Sequence, residues 1–293
     1  SKYAREMDGV HDLLSRWPVL DVTERRERLR ATLQLRPGPL ADAVERDGPA
    51  VDAAVARLWQ RDSSLWSSDA ATEEKIANRL GWLSSPALMA DTIGRVHTFA
   101  DGVKRDGFAH VVLLGMGGSS LAPEVLRQIV GVARGWPAFH MLDSTDPAAV
   151  RATDTPPERT LYLLASKSGT TIEPNALAAH FLARLQARVS RWSDHFVAIT
   201  DEGTELSRRA QVERFRDVFI NPSDIGGRYS ALAFFGLVPA ALMGQDVTAI
   251  VGWAIAMLSM CEPGLGGVMA NPAARLGLAI GVAARAGRDK LTL

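Results

Sequence analysis

Leu161 to Ala165 is an unbroken apolar run, and it stops abruptly at Ser166-Lys167-Ser168-Gly169-Thr170-Thr171. Glu173 and Pro174 then open a long helical pattern. A short run that is apolar on every side suits a parallel strand covered on both faces. Pro174 is tolerated in a first helical turn. A helix that starts here presents unpaired backbone N–H groups and the positive end of its dipole, a setting that favours an anion. Ser and Thr before a helix commonly serve only as caps. Four hydroxyls with a glycine and a lysine at one turn point instead to a phosphate cradle at the carboxyl end of a buried strand. Lys167 either touches that phosphate or is a solvated lysine beside it.

The same arrangement recurs along the chain. From Phe108 five apolar strand candidates appear: His110 to Leu114, Ala138 to Leu142, Leu161 to Ala165, His195 to Ile199 and Asp217 to Ile220. They are followed by the turns GMGGSS, DSTDP, SKSGTT, TDEGT and NPSDIGG, with helical patterns such as Leu121 to Val130 and Asn175 to Val189 between them. Alternation of this kind predicts an α/β fold, a three-layer αβα sandwich around a five-stranded parallel sheet. Right-handed crossovers put all five turns on one edge, where ligands of open sheets bind. Turns far apart in sequence can thus converge on one small ligand.

The flanks read differently. Residues 1–107 are expected to form a helical N-terminal region. In it Val22 to Leu35 is a charge-laced solvated face, and RPGP at Arg36 and DGP at Asp47 are breakers. Ala50 to Trp66 carries core positions at helical spacing, and a helix starting at Ser85-Pro86 is expected to run to Lys104. Residues 108–244 form the sheet domain. Residues 245–293 contribute two more helices; Val247 to Met260 is apolar enough to be well buried. GRDKLTL at the end reads as a helix stop and the start of a strand, as though cut in mid-element.

Charge separates function classes. Thirty-three Lys+Arg against 33 Asp+Glu gives no electrostatic case for nucleic acid or for an anionic membrane. Cys261 is the only cysteine, so no intrachain disulfide is expected and a reducing compartment is. Its flanks suit a buried structural thiol. Neither a transmembrane run nor a signal-peptide core is evident, and a cytoplasmic protein is expected.

Other motifs carry less. Gly115-Met116-Gly117-Gly118-Ser119-Ser120 lets backbone N–H groups approach a ligand. Asp143 stands where a ribose-binding acid of a dinucleotide site would, but Ser120 replaces the third glycine of G-x-G-x-x-G and no Walker lysine follows. No histidine shows metal-ligand spacing, and His110, His140 and His195 read as structural. Ser119 and Ser166 have no evident base, and G-x-S-x-G is absent. Gly226-Gly227-Arg228-Tyr229-Ser230 follows the fifth strand. Arg228 there is a permanently charged fork of donors emerging at the ligand edge, either a salt-bridge partner or a substrate contact.

GMGGSSLAPE, SKSGTTIEP and INPSDIGGRYSALAFFG, in that order, resemble the glucose-6-phosphate isomerase family. With ARLWQRDSSLW upstream, the chain is most similar to the isomerase part of bacterial bifunctional transaldolase/glucose-6-phosphate isomerases. The resemblance covers most of the chain and is firmest from Phe108 to Gly244. It implies the sugar isomerase fold and the conversion of glucose 6-phosphate to fructose 6-phosphate through an enediolate, with no metal or organic cofactor. It implies that the loop Ser166, Lys167, Ser168, Gly169, Thr170 and Thr171 holds the sugar phosphate and that Gly118 and Ser119 line the sugar site. Gly227 and Arg228 then face the reacting carbons, with Arg228 stabilising the enediolate. A transaldolase domain fused outside this chain is a further implied partner.

The chain departs from the family in one respect. The glutamate base of a later E-S-x-G-K motif, and the later histidine and lysine of ring opening, do not occur in it. The stretch alone is therefore expected to bind phosphosugar weakly and to be nearly inactive. The half-domain at its end predicts either a homodimer or poor stability. The alternative is a non-catalytic phosphosugar-binding module, against which the arginine of GGRYS argues. A nucleotide-binding oxidoreductase domain is a third reading, which the missing glycine disfavours.

Overall fold

A computed structural model describes residues 21–264 and 266–292; the helical reading of the first twenty residues and the last residue of the terminal strand reading lie outside them. In chain order come α1 (Val22–Thr32), α2 (Ala41–Trp59), α3 (Ala70–Ala77), α4 (Ser85–Ala90) and α5 (Ile93–Arg105). Strands and helices then alternate: β1 (His110–Gly115), α6 (Gly118–Ile129), β2 (Ala138–Leu142), α7 (Pro147–Ala152), β3 (Thr160–Ala165), α8 (Ile172–Gln186), β4 (Phe196–Asp201), α9 (Glu205–Val212) and β5 (Asp217–Asn221). Helices α10 (Phe234–Leu242), α11 (Val247–Met260) and α12 (Pro272–Arg285) follow. Contacts group the chain into two compact units, residues 84–250 and the described residues on either side. Helices α4 and α5, read above with the N-terminal region, belong to the unit that holds the sheet.

The sheet has five strands in the order β2-β1-β3-β4-β5, every pair parallel. Each expected strand is present to within two residues. Side chains alternate between the faces. On one face Val112, Leu114, Tyr162, Leu164, Phe196 and Ala198 pack with Leu177, Phe181 and Leu185 of α8 and with Leu206 and Ala210 of α9. Tyr162 sits between Phe181, 4.9 Å away, and Phe196, 5.2 Å away. On the other face Phe219 meets Phe99 of α5 at 5.0 Å and Phe234 of α10 at 5.2 Å, and α6 packs against α10. All six residues of β3 are buried, as its apolar run requires. These faces make the expected three layers.

Several local expectations are corrected. The helix from Ser85 does not run through to Lys104. It breaks between α4 and α5, where both the N–H and the hydroxyl of Thr92 donate to Met89 O at 2.9 Å, a side-chain bond that competes with helix continuation. In the other unit α2 runs straight through Asp47-Gly48-Pro49, read above as a breaker. An interior proline costs about 3 kcal/mol. The cost is offset by a core of Val44, Val268, Leu278 and Val282, which Gly48 lets close in: a Cβ there would lie 3.1 Å from Val268 Cγ1. Helix α11 is well buried, as expected, with one exposed residue. Val247, Val251 and Ile255, spaced by four, are fully buried, and Trp253 is 37% exposed. After α12, Gly287 takes a positive φ of 78°, the expected helix stop, but residues 288–292 form no strand. A strand is held by pairing, and none of the sheet's five strands pairs there.

Burial pushes the pKa of the partly buried Cys261 thiol up, the direction that disfavours the thiolate. Among the described residues no helix is long and apolar enough to cross a membrane.

His110 Nδ1 and His140 Nε2 lie 3.1 Å apart across β1 and β2. Burial lowers both pKa values, with Arg159 adding at His110 and with His110 and Arg127 adding at His140. The unfolded chain therefore binds protons, at about pH 6.5, that the folded chain excludes. Their contribution to stability is full above about pH 7 and declines as pH falls through about 6.5. Urea unfolding between pH 5 and 7.5 should show this slope, and the double change His110→Asn, His140→Asn should flatten it. In the core, Leu164→Ala should cost about 2–5 kcal/mol by the same measurement.

Candidate functional site

Parallel pairing brings all five strand ends to one edge. β1 and β3 are neighbours, with Gly115 paired to Ala165. From these two residues the chain turns toward opposite faces, to α6 and to α8. Such a reversal is a switch point, where open α/β sheets bind their ligands.

The turn after β1 is held by close backbone approach. Gly117 has φ 53° and ψ −120°, a conformation that glycine reaches readily. Gly118 opens α6 against the turn after β5: a Cβ on it would lie 2.4 Å from Gly227 C and 2.7 Å from Gly227 O. No side chain fits there. Ser230 Oγ donates to Gly227 O at 2.6 Å and lies 3.2 Å from Gly118 O, tying the two turns. Ser119 and Ser120 are buried at the start of α6. Arg228 follows Gly227 directly and is exposed; among the described residues it has no ion-pair partner.

The loop after β3 is bonded internally. Ser166, 2% exposed, donates its hydroxyl to Thr171 Oγ1 at 3.1 Å. Thr170 donates to Ser168 Oγ from its N–H at 3.2 Å and from its hydroxyl at 3.0 Å. Gly169, at φ 72°, rests on the start of α9, where a Cβ would lie 3.0 Å from both Leu206 N and Thr204 Cβ. Thr171 is the N-cap of α8 but makes no side-chain bond to its own helix. The hydroxyls and the first amides of α8 thus share one rim, the arrangement that receives an anion at a helix N-terminus.

Lys167 is held in an ion pair. Its ammonium donates to Asp201 Oδ2 at 2.5 Å and to Ser223 O at 2.8 Å, and its side chain is only 25% exposed. The loop after β3 is thereby joined to the end of β4 and to the turn after β5.

Of the expected residues, the structure brings Gly118 to Gly227 and Ser166 to Thr171, sets Ser119 at the start of the same helix as Gly118, and places Arg228 beside the first pair. Three residues escaped the sequence reading. Asp201 lay in a turn noted only as a turn. Thr204 caps α9, accepting from Ser207 N at 3.0 Å. Asn175 donates to Gly169 O at 3.1 Å and to Thr171 O at 3.0 Å; one turn into a helix, nothing in the sequence marks it. Among the described residues no group of three or more His, Cys, Asp or Glu is placed to hold a metal ion.

A doubly wound parallel sheet with a hydroxyl loop and glycine turns at its switch point defines an α/β protein of the open, parallel-sheet class. The phosphoglucose isomerase family matches residues 88–254, more than half of the chain, and the chain belongs to that family. It is 34% identical over 221 residues to a glucose-6-phosphate isomerase of Synechococcus sp. (strain JA-2-3B'a(2-13)), covering 68% of this chain and 41% of the relative. It is 30% identical over 280 residues to one of Parasynechococcus marenigrum (strain WH8102), covering 90% and 48%. The crystal structure of the hypothetical protein TT0462 from Thermus thermophilus superposes with a TM-score of 0.68 at 28% identity, over 82% of this chain and 54% of that one. The chain thus spans about half the length of the relatives it matches.

The close approach at Gly118 is testable. Gly118→Ala should lower the unfolding free energy by about 1–3 kcal/mol. Gly94→Ala, where nothing lies within 4 Å of the new methyl, should leave stability unchanged or raise it by up to about 1 kcal/mol. Paired urea titrations check both.

Proposed function

We propose that this chain carries the phosphosugar-binding part of an aldose–ketose isomerase that interconverts glucose 6-phosphate and fructose 6-phosphate. The observation that carries the reading is the joining of the turns after β1 and β5 at Gly118 and Gly227, beside the hydroxyl loop that starts one strand over from Gly115. One small phosphorylated ligand can meet all three. The two relatives named above from Synechococcus sp. and Parasynechococcus marenigrum are both glucose-6-phosphate isomerases and support the sugar.

In this reading Ser166, Ser168 and Thr171, with the first amides of α8, receive the phosphoryl group, and Gly118 and Ser119 line the sugar. Isomerisation moves a proton between adjacent carbons and passes negative charge to oxygen as the enediolate forms. Arg228 stands at that end. A guanidinium stays protonated throughout, so it offers fixed positive charge where charge develops and needs little rearrangement to do so. The backbone contact behind it at Gly227 limits how far it can withdraw. The proton-moving base is assigned to no carboxylate of this chain; Glu173 and Glu262 stand outside any matching motif.

Calorimetric titration should show saturable binding of fructose 6-phosphate and none of NAD. In the natural polypeptide, Arg228→Ala should lower kcat by roughly a hundred- to a thousandfold with a smaller change in KM, whereas Ser166→Ala and Thr171→Ala should chiefly raise KM. Phosphosugar binding with no turnover in that polypeptide would favour the non-catalytic module.

A further inference from the structure

The loop that the functional reading gives to the phosphoryl group stands on the turn between β4 and α9. Asp201 closes β4, and its N–H donates to Lys167 O at 3.2 Å. Its carboxylate accepts from Lys167 Nζ at 2.5 Å. Thr200 Oγ1 lies 2.8 Å from Thr204 Oγ1, and Thr204 supports Gly169 from below, within 3.0 Å of the Cβ that glycine lacks. Lys167 Nζ also reaches Ser223 O at 2.8 Å, on the segment that leads to Gly227 and Arg228.

Two of the three donors of the Lys167 ammonium are thus committed to acceptors on two other strand ends. The side chains of the pair are 25% and 12% exposed, so little water competes with the contact. Drawing the ammonium toward a bound phosphate would take the cation away from a mostly buried carboxylate, an unfavourable exchange. The hydroxyls of Ser166, Ser168 and Thr171, by contrast, bond only within the loop among the described residues.

We propose that Asp201 is a positioning residue. It holds Lys167 as a strut that fixes the loop Ser166–Thr171 and couples it to the turn bearing Arg228, and Lys167 acts through that pair rather than as a phosphate ligand. The proposal rests on the reading of the loop as the phosphoryl site.

The test uses the wild-type chain, Asp201→Asn, Lys167→Met, the double variant and Asp201→Glu. Each is titrated with fructose 6-phosphate and separately with inorganic phosphate. Amide hydrogen exchange is followed without ligand. Either single change should weaken both ligands by similar factors, on the order of ten- to a hundredfold, and the double variant should lose no more than either single, as for residues acting as one unit. Asp201→Glu, which keeps a carboxylate, should recover part of the affinity. Exchange should quicken across 167–171 in Asp201→Asn while β1 and β3 stay protected, which also shows that the variant is folded. A loss in Lys167→Met far larger than in Asp201→Asn would mark the lysine as a direct ligand and overturn the proposal. So would unchanged exchange in the loop. If the wild-type chain binds neither ligand, the phosphosugar reading fails by itself, and the exchange data still decide whether Asp201 holds the loop.

Discussion

The contact of Gly118 with Gly227 is the constraint on which the ligand edge depends. Two stretches of main chain touch so closely that Gly118 has no room for a side chain. β1 and β5 are separated in the sheet by β3 and β4, a distance of about 14 Å at the usual strand spacing. The two turns must cross that gap past the ends of both intervening strands. Ser230 fastens the crossing by placing its hydroxyl within reach of one carbonyl from each turn. Arg228 is set by this contact and not by packing of its own side chain, which is exposed.

The crossing is held up by a sheet whose faces are both covered. β3 is buried along its whole length, so Ser166 begins from a strand that cannot shift register without breaking the packing on both of its faces. Polar groups gather only where the apolar run stops. There they bond chiefly to one another and to neighbouring turns: Ser166 to Thr171, Lys167 to Asp201, Asn175 to two loop carbonyls. The rigidity comes from the core and the chemistry from its rim, the usual division of labour in open α/β domains.

The sheet was legible because its signals are local and redundant. An apolar run, a glycine or hydroxyl turn and a helical period each mark the same boundary, five times over. The turns of the candidate site were legible for the same reason, since Gly118, Gly227 and the hydroxyls of 166–171 are residue types that only a backbone approach or a donor rim would gather. What the sequence hid depends on contacts between distant residues. Pro49 reads as a stop, yet α2 passes through it because Val44 and Gly48 meet α12 and the segment before it, partners more than 200 residues away. The break at Thr92 turns on which acceptor one hydroxyl finds. Lys167 looks like any loop lysine until β4 places Asp201 against it.

The two glycines that meet at the rim are 109 positions apart (227 minus 118), and the strand that delivers the second is the last of the five along the chain. During synthesis the hydroxyl loop and the first turn emerge well before their counterpart. Closing so long an interval carries its entropic cost before any contact repays it. The joined rim is therefore a late feature of this protein, completed when the fifth strand docks, and a nascent chain that stops short of it has only one of the two turns in place.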